Sequence, residues 1–156
     1  MSKDSKIELR SRALAYLARR EHSRIELIQK LDKHRDSEVT GSMLEELMNE
    51  LEAENFLSDS RCADMLIRNA YAKGHGPIKL FQATRSKGIE QTRITASEEF
   101  IGADWFALAA KVREKRFGSD KPEDYRDKAK QARFLVGRGF NQEQIEFALS
   151  CVLDAE

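Results

Sequence analysis

The side chains that most often carry chemistry are few in this chain and far apart. Three histidines, His22, His34 and His75, adjoin turn-like segments, and none stands at metal-ligand spacing from a cysteine or a carboxylate pair. They read as surface or capping residues, and no metal is expected. Cys62 and Cys151 stand alone in the sequence. Lone cysteines fit reduced thiols in a cytosolic protein, with no disulfide between them. Cys62 falls on an amphipathic helical pattern, which predicts a buried, inert thiol. Glu45-Glu46 and Glu98-Glu99 are paired carboxylates of the kind general acid–base chemistry uses, but their spacing puts them on solvated helix faces. Gly74-His75-Gly76 is a bare Gly-x-Gly with no strand before it, and no Gly-x-x-x-x-Gly-Lys-Ser/Thr occurs. The expectation is a protein with no catalytic residue, no metal and no cofactor.

Charge segregation is more informative. The 27 Lys and Arg balance the 27 Asp and Glu, so a globally basic nucleic-acid binder is excluded. Yet residues 36–60 hold eight acidic groups and no Lys or Arg. Residues 61–95 hold seven basic and two acidic groups, and residues 111–138 hold ten and five, a net of +5 in each. Such segments are either solvated faces or one side of a basic groove for an acidic protein surface or a phosphate backbone. Pairing of Asp64 with Arg68 and of Asp124 with Lys128, both i,i+4, would be the ordinary solvated arrangement. The candidate partner-binding set is Arg61, Arg68, Lys73 and Lys79, followed by Lys130, Arg133 and Arg138 in the later segment.

These residues must be positioned by helices. Ser23-Arg24-Ile25-Glu26 has the form of a capping box and opens a helix with Leu27, Ile28 and Leu31. Ser42-Met43-Leu44-Glu45 is a second candidate box. Gly74 closes a helix over 61–73, and Pro77 stands at the first position of the next, where its missing N–H costs nothing. Gly88, Gly118 and Gly139 read as further stops. A helix is predicted across 94–100. Asp104 caps a helix over 105–116, one more spans 123–138, and Asn141 with Gln144 opens the last. Trp105 and the phenylalanines fall at helical spacing and read as core.

The signals repeat. Gly88-Ile89 with Ile94 matches Gly139-Phe140 with Ile145, 51 positions on. Ser23-Arg24-Ile25-Glu26-Leu27 matches Gly76-Pro77-Ile78-Lys79-Leu80, 53 positions on. The first unit departs from the pattern, with Arg35 where the stop glycine should be. The period predicts an all-α protein of three tandem three-helix, helix-turn-helix-like repeats in an elongated array, with units at 7–57, 58–103 and 104–156. Hydrophobic residues make up 40% of the chain, too many for a disordered polyelectrolyte. No apolar run reaches the ~18 residues of a membrane span, and the N-terminal residues lack a signal-peptide core. A cytoplasmic monomer is expected.

Several segments form an ordered set. Leu17-Ala18-Arg19-Arg20-Glu21-His22-Ser23-Arg24 with Glu26-Leu27, and Phe56-Leu57-Ser58-Asp59-Ser60-Arg61, come first. Lys73-Gly74-His75-Gly76-Pro77 and Lys87-Gly88-Ile89 follow. Arg116-Phe117-Gly118, Lys130, Arg133-Phe134-Leu135 and Arg138-Gly139-Phe140 complete the set. Together they resemble the RecX family of recombinase regulators. The resemblance covers nearly the whole chain from about Ala13. It departs at Cys62, where the family usually carries an aromatic residue, and at Asn69-Ala70-Tyr71, which is less basic than usual. The resemblance implies three tandem three-helix repeats. It also implies a non-enzymatic protein that lies in the groove of the RecA–DNA filament, bridges protomers and inhibits strand exchange, ATPase activity and RecA-promoted repressor cleavage. The alternative is a module that binds single- or double-stranded DNA directly.

Overall fold

The structure is a computed structural model that describes residues 2–150, with side chains from residue 4. It is all-helical, with no strand among the described residues. Helices α1 (Ser2–Arg19), α2 (Arg24–Asp32) and α3 (Gly41–Ala53) come first. They are followed by α4 (Asp59–Ala72), α5 (Pro77–Ser86), α6 (Gln91–Ala96) and α7 (Glu98–Ile101). Finally come α8 (Trp105–Phe117), α9 (Tyr125–Gly137) and α10 (Gln142–Ser150).

Local chemistry sets most boundaries. The Ser23 hydroxyl accepts from the Glu26 amide at 3.1 Å, and the Ser23 amide donates back to Glu26 Oε1 at 3.4 Å, so the box is complete. Asn141 and Gln144 make a second reciprocal pair, both bonds 2.9 Å, at the start of α10. Gly74, Gly88, Gly118 and Gly139 all have positive φ at the stops the sequence predicted.

Two boundaries differ from expectation. Thr40, not Ser42, caps α3, because its hydroxyl accepts from the Met43 amide at 3.2 Å. The helix predicted across 94–100 is broken at Ser97, whose backbone is extended (φ −68°, ψ 137°). The Ser97 hydroxyl caps the Glu99 amide and donates to Asp64 at 2.6 Å, so the side chain competes with helix continuation. The described residues therefore hold ten helices rather than about nine.

Every extensive helix–helix packing falls within α1–α3, α4–α7 or α8–α10. Two cores result. Leu9, Leu27, Met48 and Leu51 belong to one, confined to α1–α3 and the chain around them. Ile67, Leu80, Ile94, Leu108, Leu135 and Phe140 belong to the other, which runs through both later triplets. Trp105 and Phe140 are core as expected, but Phe56, Phe106 and Phe147 are partly exposed.

The triplets meet through turns. Ser23 at the start of α2 donates to the Lys87 carbonyl at 2.5 Å, and Ile25 covers Gly88. One repeat further, Gly76 at the start of α5 donates to the Arg138 carbonyl at 2.7 Å, and the Ile78 amide donates to the Gly139 carbonyl at 2.9 Å. The two sequence matches at 51 and 53 positions are thus the two halves of one joint, used twice. Gly76 approaches closely, since a Cβ there would lie 2.5 Å from the Gly139 oxygen. The accessible surface, 9866 Å2, exceeds the ~8,000 Å2 of a compact monomer of this mass.

Candidate functional site: a basic groove at the second joint

The turn after α4 packs on α8, where a Cβ on Gly74 would lie 2.9 Å from Val112. This contact places Lys73 opposite Lys111 and Lys115, which sit i,i+4 on the outer face of α8. Arg116 lies in the last turn of α8, and Arg138 is the C-cap of α9. The five cations line an open cleft of about 380 Å3 whose floor includes Leu108, Val112 and Phe134. No carboxylate lines it.

Two of the cations are held in place by aromatic rings. The Phe134 ring meets Phe117 edge-on at 5.4 Å. The Arg116 guanidinium lies 5.7 Å and the Arg138 guanidinium 5.3 Å from the centre of the Phe134 ring. Lys79 and Lys73 reach the same neighbourhood from unit two. Together with Arg138 they surround half-buried His75, whose pKa is lowered first by burial and then by these three charges.

The predicted cations therefore separate. Lys73, Lys79 and Arg138 converge around His75, and Lys130 and Arg133 are exposed on α9 outside the groove. Arg68 pairs with Glu99 at 3.2 Å, not with Asp64, because Ser97 holds Asp64. Arg61 lies at the first joint. It donates to Glu21 at 2.7 Å and to the side chain and carbonyl of Asn55 at 2.9 and 2.8 Å. Asp124 does not pair with Lys128; its carboxylate caps α9 by accepting from the Asp127 amide at 2.8 Å.

Sequence reasoning missed Lys111, Lys115 and Arg116 as site residues, although it placed them in a basic segment. The i,i+4 spacing of Lys111 and Lys115, which puts both on one helix face, was the available signal. Arg113, counted in that segment, is 2% exposed and points inward. It donates to Gln131 at 2.8 Å and to the Asp120 carbonyl.

The other titratable groups are absorbed by the fold. Five of the eight acids in the acidic stretch pair within the first triplet: Arg24 with Glu45 and Glu52, Arg10 with Glu50 and Glu54, and Lys6 with Glu46. His22 is 1% exposed rather than at the surface, its Nδ1 against the Arg20 carbonyl and its Nε2 against Lys30. Burial opposes ionisation of Glu26. Hydrogen bonds from Arg20 and Lys87 outweigh it and hold the pKa at about 2. Burial, then the Glu26 charge, pushes the free Cys62 thiol up to about 12. Cys151 lies outside the described residues. Glu98 and Glu99 border a second cleft of about 720 Å3 with Asp59, Asp64 and Glu90. Among the described residues no group of three or more His, Cys, Asp or Glu could hold a metal ion. No described helix is long and apolar enough to cross a membrane.

Fold and groove together define a tandem helical-repeat protein with a basic joint. Known proteins give the family. Residues 103–149 match the family description "RecX, third three-helix domain". The chain is 38% identical over 141 residues to the regulatory protein RecX of Halorhodospira halophila, covering 90% of this chain and 85% of that one. It is 33% identical to the regulatory protein RecX of Pseudomonas entomophila, covering 94% and 93%. The crystal structure of RecX from Lactobacillus salivarius superposes with a TM-score of 0.77 at 21% identity over 94% of this chain and 95% of that one, a likeness of fold. The chain belongs to the RecX family.

Proposed function

We propose that the protein is an inhibitory modulator of the RecA recombinase. In this reading it binds the RecA–DNA filament and so regulates recombination, DNA repair and the SOS response. It acts as a cytoplasmic monomer and is not an enzyme. Membership of a family of regulatory proteins supports this, and the observation that carries it is the groove. Five cations from two units converge without a counter-charge on a molecule built as a repeat. A filament repeats as well. A three-unit rod, with units at about 7–57, 58–103 and 104–156, can touch successive protomers, and modest contacts add through effective concentration. A bridged protomer is held from the motion that turnover requires. In this reading Lys73, Lys79 and Arg138 make the central contact, Arg68, Lys130 and Arg133 flank it, and Arg61 holds the first joint.

The second reading is a helix-turn-helix-like module that reads DNA bases directly, and the three-helix units favour it. The zero net charge and the lack of an exposed helix rich in Asn, Gln and Arg weigh against it. The test is RecA ATPase turnover on single-stranded DNA, titrated with the protein. Turnover should fall to a plateau. Unchanged turnover at saturating protein refutes the first reading, and equal affinity for naked and RecA-coated strands favours the second.

A further inference from the structure

We infer that the first joint is a proton-operated hinge: a proton taken up by buried His22 releases the start of α2 from the turn after α5, and the first triplet swings as an intact body. The device belongs to the chain itself and needs no partner.

The two joints are held by different forces. At the second, the Gly76 and Ile78 amides bond to the Arg138 and Gly139 carbonyls, and one apolar core runs beneath both triplets. At the first, no apolar core is shared among the described residues. Its contacts are mostly polar. The Ser23 hydroxyl donates to the Lys87 carbonyl at 2.5 Å, and the Arg24 amide to the Asp59 carboxylate at 2.8 Å. The Lys87 ammonium donates to Glu26 at 2.8 Å, and Arg61 to Glu21 at 2.7 Å. Ile25 on Gly88 adds an apolar touch. Parting the second joint exposes buried apolar surface; a local change of charge is enough to part the first.

His22 sits where such a change acts. It precedes Ser23 in the chain and is 1% exposed. Its Nδ1 lies 3.0 Å from the Arg20 carbonyl and its Nε2 2.9 Å from the Lys30 ammonium. A carbonyl only accepts and an ammonium only donates, so the ring is neutral with its proton on Nδ1. Charged and titratable groups face it from each neighbouring element. Arg20 and the Tyr16 ring come from the end of α1, and Glu26 and Lys30 from α2, with Lys33 beyond. Lys87 reaches in from the turn after α5, and Cys62 of α4, with its thiol pushed up to about 12, is neutral. Arg20, Lys30 and Lys87 thus crowd around Glu26, which Arg20 already holds at 2.6 Å and Lys87 at 2.8 Å.

A proton on Nε2 turns the acceptor of Lys30 into a donor and sets two cations 2.9 Å apart. Two relaxations are open. The displaced cation can turn to Glu26, where it competes with Lys87 for the bond that crosses the joint. Alternatively the imidazolium moves to water and draws Ser23 with it, which breaks the other crossing bond, to the Lys87 carbonyl. Both weaken the same contact. In the closed joint burial holds the His22 pKa below 6.5. The Arg20 and Lys30 charges add to this, and the Arg20 carbonyl and Glu26 oppose it. In the open joint the ring meets water and its pKa returns towards 6.5. Above 6.5 both forms are neutral and pH has no effect. Between 6.5 and the lowered value only the open form binds the proton, so the opening constant rises by up to about tenfold for each unit by which pH falls.

The test uses the whole chain at constant ionic strength, at about pH 7.5 and about pH 5.5, on either side of the histidine range. Residual dipolar couplings of α1–α3 and of α4–α10 should fit one alignment tensor at the higher pH and require two at the lower. Amide exchange protection within α2 and α3 should persist at both, because the triplet moves intact. His22→Gln, whose side-chain carbonyl can accept from Lys30 without titrating, should fit one tensor throughout. His34→Gln/His75→Gln leaves His22 as the only histidine and should open like the parent. In that variant the His22 ring and the Gly88 amide should titrate with one midpoint. If His22→Gln does not fold, Lys30→Met serves: without the ammonium the closed-state pKa of His22 rises, and the acid opening should shrink. One tensor for the parent at both pH values overturns the inference. So does opening of His22→Gln, or of a folded Lys30→Met, to the extent of the parent. Loss of protection across α2 and α3 at the lower pH means unfolding rather than a hinge and overturns it as well.

Discussion

Gly139 lies directly against Lys79: a Cβ built on Gly139 would sit 2.7 Å from the Lys79 amide nitrogen. The glycine also has φ +91°. The contact between a stop glycine and the start of a helix one unit earlier is the second joint, and the same joint aligns Lys79 and Arg138 around His75.

Gly139→Ala should therefore destabilise the protein by about 1–3 kcal/mol from backbone conformation alone, and more from the clash with Lys79 backbone. Gly137, two residues earlier, has nothing within 4 Å of its added Cβ and is helical. Gly137→Ala should be neutral or stabilise by up to about 1 kcal/mol. Urea midpoints of the two variants measure the contrast, and shifts of the same sign would contradict the account of the joint.

Arg61→Ala should lose about 1–2 kcal/mol, since the Glu21 pair is partly exposed and screened while the bonds to Asn55 pin a residue with φ +67°. At temperatures where the variant is folded, RecA inhibition should be retained. Loss of inhibition without loss of stability would return Arg61 to the contact surface.

Charge reversal separates the convergent cations from the flanking ones. Lys73→Glu/Lys79→Glu/Arg138→Glu should abolish inhibition of RecA ATPase. Lys130→Glu/Arg133→Glu should mainly slow association and change its salt dependence. Circular dichroism is checked first in both. A folded triple variant that inhibits like the parent would remove the groove from the contact.

The pH dependence follows from three groups. His22 and His75 are lowered below 6.5 in the fold, mainly by burial, so the unfolded chain binds more protons near neutrality. Their contribution is whole above pH 6.5 and is lost as pH falls from that value through the lowered folded-state pKa. Glu26 is lowered from 4.5 to about 2, so its contribution is lost between those values. Stability should fall in two stages on acidification. NMR titration of His75 in Lys79→Gln should give a higher pKa than in the parent, because one neighbouring positive charge is gone. An unchanged pKa would mean that Lys79 does not face His75.

What was legible in the sequence was chemistry spanning a few residues. The Ser23–Glu26 box, Pro77 at a helix start and the glycine stops each act within one turn, and all sit where they were read. The break at Ser97 was hidden because it depends on Asp64, 33 positions away. Arg68 chose Glu99 over Asp64 for the same reason. The groove was half visible: Lys73 and Arg138 were candidates, but Lys111, Lys115 and Arg116 joined them only when α8 packed under the turn at Gly74. Arg113 shows the converse, since a charge in a basic run can be an interior hydrogen-bond donor. His22 was misplaced because a turn-adjacent histidine need not be exposed; here the turn itself is covered.

The division of the core sets an order of disassembly. Leu9 through Leu57 form a closed apolar set, joined to the rest by Glu26, Lys87, Arg61 and the contact of Ile25 with Gly88. The two later triplets share one apolar set and cannot part without exposing it. In native-state hydrogen exchange, amides of α2 and α3 should open as one cooperative block at lower free energy than those of α4, α8 and α10. Salt should widen that difference, because it screens the ionic seam and leaves apolar burial intact. The expected pattern is two foldons, with the seam after the first unit.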